Sequence, residues 1–318
     1  MNTHIELMQK VVDVVTQSEH PTNKIAAGLL MQNGSFVTNT NERPERIREN
    51  FDISECFGGA SGWVHAETFC ILKAQNTDVA SIYITDPFCP NCAKNIAEAG
   101  IKTIFIDHKG FAKDFSKRRG EEFENMSMRI CDAAGISVYE LHRKEGWIIP
   151  ILVHDQRKRV QKAEHPIEVQ KIKVLKEAAF LDFVHEFIKG KDQSTPLAIG
   201  CGVTQDSEPV SIIAPQSLSI GWDKDDNQKH NEEKYSFISE PCNRLLMNAA
   251  RLGIELDKRF MFSSRTPRPR EQINLIGAEY QIIYIENTDE GDASQGQKAN
   301  QKLKTLLALN KFSETVIK

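Results

Sequence analysis

The sequence predicts an α/β protein in which a central sheet lies between two helical layers, and it predicts two tandem copies of this unit. Three observations support the prediction. An apolar run over residues 25–31 ends in Gln32-Asn33-Gly34, a signal for a β-hairpin. From residue 80 onward, short strand-like runs alternate with helical patterns. After residue 166 the same order of patterns recurs with gaps.

The first half opens with a helical pattern that is followed by the hairpin. Apolar residues recur at helical spacing over residues 5–16, and His20-Pro21 interrupts the chain. Residues 25–31 and 35–40 are the two predicted strands. Residues 41–62 are charged and contain glycine, so we expect a loop that covers a site.

Beyond this loop the predicted helices and strands alternate. A helix is expected to start near Val64. The elements that follow are predicted strands at 80–85, 102–107 and 136–141 and predicted helices at 87–99 and 121–134. Because helical crossovers join parallel strands, we expect an antiparallel hairpin followed by parallel strands, with helices on both faces.

Residue types that bind zinc are concentrated in two short segments of this half, Val64-His65-Ala66-Glu67 and Pro87-Phe88-Cys89-Pro90-Asn91-Cys92. Zinc takes imidazole nitrogen and thiolate sulfur, and a catalytic site keeps one of its four positions for water. His65, Cys89 and Cys92 are therefore the predicted ligands of one zinc ion. Glu67 is the predicted acid/base, because it lies close to the water that such an ion activates.

Each of these residues also has a simpler explanation. A lone histidine usually packs in a core or caps a helix, a Cys-x-x-Cys pair can be a redox dithiol, and a glutamate in a first turn is favoured by the helix dipole. The combination of all four residues in this order, with a strand before the cysteines, favours the metal site. Three ligands rather than four favour a catalytic zinc over a structural one.

His-Ala-Glu followed by Cys-x-x-Cys after a strand resembles the pattern of the zinc nucleobase deaminases. The helix from Cys89, the strand after Gly100 and the segment Arg129-Ile-Cys-Asp-Ala-Ala-Gly-Ile-Ser-Val-Tyr139 are similar to the deoxycytidylate deaminase branch, and the resemblance covers residues 5–142. Phe88 stands directly before the first cysteine, where this family usually has proline. Free cytidine deaminases lack the helix between the last two strands, which argues against that branch.

The resemblance implies a cytidine-deaminase-like fold and the hydrolytic deamination of a cytosine nucleotide, with dCMP to dUMP and ammonia as the favoured reaction. It implies one Zn²⁺ per chain, in the N-terminal domain, and a nucleotide as the small-molecule substrate. Two alternatives stay open: deamination of another amino-base or of RNA, and a zinc-stabilised binding protein that has lost catalysis.

Four further residues are predicted to contact the substrate. Ala66 leaves room for a flat ring, and its N–H can meet the base carbonyl. Asn41 lies in a segment that resembles the loop whose asparagine contacts sugar in the deaminase families. Arg43 and Arg46 are weaker predictions for a 5′-phosphate. A plain turn asparagine and solvated arginines balanced by nearby glutamates are the alternatives.

The second half repeats the pattern of the first without its chemistry. Ser239-Glu240-Pro241-Cys242 lies where the His-Ala-Glu segment is expected, and arginines 268 and 270 lie in the segment that replaces the cysteine pair. Arginine cannot bind zinc. We therefore predict a degenerate deaminase-like domain docked on the first half as an intramolecular pseudo-dimer. The alternative is two unrelated α/β halves.

The predicted organisation is a catalytic domain over residues 1–148, a linker over 149–165 and the degenerate domain over 166–318. Near the C-terminus, the polar stretch 289–299 is predicted to be a loop and 301–312 a final helix. With one domain pair already in the chain, a monomer or homodimer is expected rather than a large ring.

The composition limits the kinds of binding partner and the cellular compartments that we expect. The net charge of −4 disfavours a large nucleic-acid footprint, which normally needs a basic face. No apolar run has the roughly 18 residues of a membrane span, and the N-terminus lacks the pattern of a signal peptide. Only two of the seven cysteines form a Cys-x-x-Cys pair, which is typical of the reducing cytoplasm.

Overall fold

The computed structural model describes residues 2–113, 123–155, 157, 159–173, 175–189, 194–222, 236–287 and 293–312. The described part of the first half contains α1 (Asn2–Val14), β1 (Ala26–Leu30), β2 (Phe36–Thr40), α2 (Glu45–Asn50), β3 (Cys56–Phe57), β4 (Ala60–Ser61), α3 (Ala66–Leu72), β5 (Ser81–Ile84), α4 (Pro90–Glu98), β6 (Thr103–Asp107), α5 (His108–Phe111), α6 (Met128–Ala133), β7 (Ser137–His142) and β8 (Trp147–Leu152). A 3₁₀ turn, Val15–Gln17, follows α1, and a π-helical turn, Phe123–Ser127, precedes α6.

The described part of the second half contains β9 (Glu168–Lys171), α7 (Glu177–Ile188), β10 (Leu197–Val203), β11 (Pro209–Pro215), β12 (Ser217–Leu218), β13 (Ile238–Ser239), α8 (Pro241–Leu252), β14 (Glu255–Arg265), α9 (Pro269–Gly277), β15 (Ile282–Asn287), α10 (Ala293–Leu303) and β16 (Ala308–Lys311). No helix in the described ranges is long and apolar enough to cross a membrane.

The first half forms a six-stranded sheet in the order β2-β1-β5-β6-β7-β8. β1 is antiparallel to both β2 and β5, whereas β5, β6 and β7 are parallel. This confirms the predicted hairpin followed by parallel strands. The antiparallel strand β8 extends the sheet past residue 148, the predicted end of the first domain. The tight turn between β7 and β8 makes this possible: Gly146 adopts a positive φ of 78°, and its N–H bonds the carbonyl of His142.

The second half repeats this sheet. Its strand order is β16-β15-β14-β10-β11-β9, in which β11, β10, β14, β15 and β16 correspond to β2, β1, β5, β6 and β7. The strand directions agree as well, since β10 is antiparallel to β11 and β14, and β14, β15 and β16 are parallel. The two-copy fold predicted from the sequence is therefore present.

Two boundaries differ from the prediction. The predicted helix at 301–312 is wrong: α10 ends at Leu303, and the apolar residues after it form β16, which pairs with β15. The predicted loop at 289–299 is partly wrong, because α10 begins at Ala293; residues 288–292 lie outside the described part. The helical spacing of apolar residues is hard to recognise in α10, because most of its residues are polar. Ala299 and Leu303 are fully buried.

The two halves share one core. α1 covers one face of the first sheet, where Met8 and Val11 pack in the same cluster as Leu141. α3 and α4 lie on the opposite face, in a cluster that also contains buried residues of α8 and α9. Both α3 and α4 contact α8 directly. The helices that begin at the zinc motif therefore lie between the two sheets.

A buried ion pair crosses this shared helical layer. Arg244 Nε on α8 donates to Glu98 Oε1 on α4 at 2.8 Å, and Asn248 Nδ2 donates to Glu98 Oε2 at 2.7 Å. The side chains of Arg244 and Glu98 are 1% and 3% exposed. Because neither charge has access to water, each depends on the other for compensation.

Arg244→Met is expected to lower the free energy of unfolding by about 3–5 kcal/mol, because it leaves a buried carboxylate unpaired. The double variant Arg244→Met/Glu98→Leu should regain much of the lost free energy of unfolding, because it also removes the unpaired carboxylate. The control is Lys73→Met, which removes an exposed interdomain pair with Glu279 at 2.8 Å and should cost less than about 1 kcal/mol. Urea denaturation measures all three; equal effects of Arg244→Met and Lys73→Met would contradict the assignment.

Candidate active site

The predicted zinc ligands converge where α3 and α4 begin. His65 is the N-cap residue of α3, and Cys89 is the N-cap residue of α4, with Pro90 at the first helical position. Cys92 follows in the first turn of α4. The predicted helix start near Val64 is therefore slightly early, because His65 has an extended backbone (φ −68°, ψ 148°) and α3 begins at Ala66.

The three donor atoms form a compact triangle. His65 Nδ1 lies 3.2 Å from Cys92 Sγ and 3.5 Å from Cys89 Sγ, and the two sulfur atoms are 3.6 Å apart. Tetrahedral zinc with ordinary bond lengths gives edges of about 3.5 Å for nitrogen–sulfur and about 3.8 Å for sulfur–sulfur. The triangle therefore fits a zinc ion with one position left open.

Burial makes this donor set dependent on a cation. Cys89 and Cys92 are 2% and 1% exposed. Burial, together with the neighbouring Cys89, raises the pKa of the Cys92 thiol well above its ordinary value. Two buried thiolates at one place require positive charge, and the helix N-termini supply only part of it. The chemistry of the site thus favours a divalent ion.

Glu67 lies in the first turn of α3 and is 3% exposed. Its Oε2 atom is buried and has no hydrogen-bond partner in the described structure. Burial is the main cause of a raised pKa of this carboxyl group. A buried, uncommitted carboxyl oxygen next to the ligand triangle is available to exchange protons with a molecule bound there.

Residues 1–107 match the family model of the cytidine and deoxycytidylate deaminase zinc-binding region. This part of the chain is therefore similar to the zinc-binding region of cytidine and deoxycytidylate deaminases. A curated relative, described as an uncharacterized deaminase in the luxG 3′ region of Aliivibrio fischeri, is 27% identical over 122 residues, which are 38% of this chain and 81% of the relative.

Two solved structures are similar to one half of the chain. Both are dCMP deaminase from the cyanophage S-TIM5, one in complex with dCMP and dUMP and one in apo form. The complex is 19% identical, with a TM-score of 0.33, over 44% of this chain and 97% of the other. The apo form is 21% identical, with a TM-score of 0.29, over 43% of this chain and 94% of the other.

Asn41 and Ala66 lie near the bridge that Glu42 forms with Val64. Ala66 is the buried first residue of α3, so its N–H has no acceptor within the helix and can meet a ligand. Asn41 is 5% exposed, and its Oδ1 accepts hydrogen bonds from Ser18 Oγ at 2.7 Å and Ile25 N at 3.0 Å. Asn41 therefore also holds the segment before β1 in place.

Arg43 and Arg46 both donate to backbone carbonyl groups, which leaves fewer of their donors for the predicted contact with a phosphate. Arg43 Nη2 donates to the carbonyl groups of Phe51 and Asp52 and thereby closes the loop after β2. The Arg46 guanidinium donates to carbonyl groups of the second half, at Tyr280 and Leu306. Their sequence positions could not reveal these contacts, because the acceptors are backbone atoms and, for Arg46, lie more than 230 residues away.

His20 is a neighbour of the site that the sequence did not reveal. Its ring lies 4.6 Å from the ring of Trp63, two residues before His65. Burial and the nearby His65 lower the pKa of His20. The sequence of His20-Pro21 predicts only a chain breaker, and nothing local to it predicts an aromatic contact 43 residues further along the chain.

The second half builds a different site at the corresponding helix starts. Glu240 and Arg268 are the N-cap residues of α8 and α9, where the first half has His65 and Cys89. Glu271 then stands at the position of the second zinc cysteine. Of the described residues, both groups that could hold a metal ion lie in the first half.

Salt bridges occupy this second site. Glu240 pairs with Arg265 at 2.6 Å and with Arg268 at 2.9 Å, and Arg265 also lies 3.5 Å from Glu271. Glu271 further accepts hydrogen bonds from the backbone N–H groups of Cys242 and Arg268, each at 2.8 Å. Two carboxylates and two guanidinium groups thus stand where the first half has two thiols and, in our interpretation, a dication.

Arg265→Met is expected to destabilise the protein by about 3–5 kcal/mol, because it leaves two buried carboxylates with less compensation. The metal content should stay unchanged, as the zinc triangle lies in the other half. Arg259→Met is the matched control, since Arg259 is 71% exposed and pairs only at the surface with Asp257. Thermal unfolding and metal analysis test the prediction; loss of metal in Arg265→Met would contradict it.

Proposed function

We propose that the protein catalyses hydrolytic deamination of a cytosine nucleotide, dCMP to dUMP and ammonia. One observation carries the proposal: the His65, Cys89 and Cys92 donors converge beside the buried, unpartnered Glu67 oxygen. The family match over residues 1–107 supports the same reaction class. Pyrimidine nucleotide metabolism is the corresponding cellular context, and the lack of a disulfide among the seven cysteines supports a cytoplasmic location.

Zinc held by His65, Cys89 and Cys92 would supply Lewis-acid activation of a water molecule, lowering its pKa towards about 7. Glu67 would accept a proton from the attacking water molecule as the water oxygen bonds to the ring carbon that carries the amine. It would pass this proton to the adjacent ring nitrogen. Glu67 then transfers the second water-derived proton to the amine as the carbon–nitrogen bond breaks. The reaction needs no oxidant or reductant, and the products are the uracil nucleotide and ammonia.

The environment of Glu67 suits these two transfers. Because burial raises its pKa, the carboxyl group gives up a proton less readily than an exposed glutamate, which suits a group that must hold a proton before it passes it on. The backbone N–H of Ala66 would bind the base carbonyl, and the remaining Nδ2 hydrogen of Asn41 would contact sugar, since the other is directed at Asn23 O.

The second half would be catalytically inert and would support the first. Arg270 Nη1 donates to the carbonyl of Trp63 at 2.6 Å, two residues before His65. Gly277 of α9 lies so close to Val64 that an added Cβ would come within 2.6 Å of its side chain. The degenerate copy therefore packs against the segment that presents the zinc histidine.

Glu67→Gln should lower kcat by about 10²–10⁴-fold, because the amide cannot carry the proton, while bound zinc stays unchanged. Glu49→Gln, at an exposed position of α2, is the control and should keep full activity. Ammonia release and metal analysis are measured on the same samples. Substantial turnover by Glu67→Gln would overturn the mechanism.

Ammonia release from dCMP, CMP, cytidine, deoxycytidine and dCTP tests the substrate class. Release from dCMP well above the nucleosides would support a nucleotide deaminase. Absence of release from all five, with zinc bound, would overturn the proposal and would favour RNA, another amino-base, or a binding protein that has lost catalysis.

A further inference from the structure

A second group of metal-binding side chains lies at the edge of the first sheet, apart from the zinc triangle. His108 is the first residue of α5, directly after β6, and Glu140 and His142 are two residues apart on β7. Residues i and i+2 of a strand point to the same face. β6 and β7 are parallel with Asp107 opposite Leu141, so their carboxyl ends bring these three side chains together.

The donor atoms converge on one point. His108 Nδ1 lies 2.9 Å from Glu140 Oε1, and His142 Nε2 lies 2.9 Å from the same oxygen atom. The two imidazole rings stack with centroids 4.0 Å apart. One donor atom from each residue lies within 4.8 Å of the other two.

The Nε2 atom of His142 lacks a hydrogen-bond partner among the residues that the structure describes. His142 Nε2 is buried and has no hydrogen-bond partner in the described structure, although a carboxylate oxygen is only 2.9 Å away. Buried polar atoms without partners are rare, and each needs an explanation. An ion placed between the two imidazoles and the carboxylate would satisfy all three groups together.

We propose that His108, Glu140 and His142 bind a second divalent transition-metal ion of the zinc type. Two imidazole nitrogens and one carboxylate oxygen are a ligand set that zinc takes in proteins, with water in the remaining position. The side chain of His108 is 48% exposed and those of Glu140 and His142 are 24% and 15% exposed, so the ion can enter from solvent. The chain would then hold two ions, both in the first half.

The ion would link α5 to β7 near the segment between β5 and α4, which carries Cys89. Gly110 of α5 lies against the backbone of Thr85, where an added Cβ would come within 2.2 Å of the carbonyl oxygen. On the same helix, the ring of Phe111 lies 5.9 Å from that of Phe123, which in turn lies 5.4 Å from that of Phe88. Phe88 directly precedes the zinc ligand Cys89. The second ion is thus placed to stabilise the surroundings of the first.

Metal stoichiometry tests the proposal without reference to activity. Untagged protein is stripped with a chelator, reloaded with zinc, freed of excess metal and analysed by elemental mass spectrometry. Two ions per chain are expected for the unsubstituted protein, and one for either His108→Ala or Cys92→Ser. His185→Ala, at an exposed position of α7, is the matched control and should retain two.

Cobalt identifies which ion is lost. His108→Ala should keep the strong thiolate-to-cobalt absorption of the cysteine site, and Cys92→Ser should lose it. Because His108 is half exposed, its substitution is not expected to prevent folding, and circular dichroism checks this. One ion per chain in the unsubstituted protein, or two ions in folded His108→Ala, would overturn the proposal. Neither result would affect the proposed deaminase reaction, which rests on the other site.

Discussion

Compensation of buried negative charge at paired helix starts is the constraint on which this structure depends. Two helices begin side by side between the sheets in each half, and each pair carries anionic groups away from water. Helix N-termini favour such groups by about 0.3–1 kcal/mol at exposed sites, which is far less than the several kcal/mol lost on burying an ion. The second half meets this need with arginine side chains, and in our proposal the first half meets it with a zinc ion.

The second half obtains its cations from its own chain. Arg265 and Arg268 surround Glu240 and Glu271, and this cluster holds the starts of α8 and α9 together without a metal. This cluster has no counterpart of the open coordination position that a catalytic metal ion needs. Its positive charges belong to arginine side chains, which offer no site for a water ligand. A copy stabilised in this way can keep its fold after losing its chemistry, and it remains a rigid surface for α3 and α4.

The sequence predicted what depends on local spacing. The hairpin signal at Asn33-Gly34 and the spacing of Cys89 and Cys92 are short-range patterns, so the first sheet and the zinc triangle could be inferred. Contacts between distant segments could not. The acceptors of Arg46 lie in the second half. β16 forms in a leucine-rich segment whose local pattern predicts a helix, because it pairs with β15.

The same limit applies to the pairing of His108 with residues on β7, 32 positions further along the chain. A comparison of the two copies shows what occupies the position of Glu140 in the second sheet. Ile106 stands opposite Glu140 in the first sheet, and the equivalent Ile285 stands opposite Lys311 in the second. A lysine at the carboxylate position offers no metal ligand when charged. The carboxylate of this group, like the donors of the zinc triangle, is thus replaced in the second copy, as expected if the two groups act together in the first half.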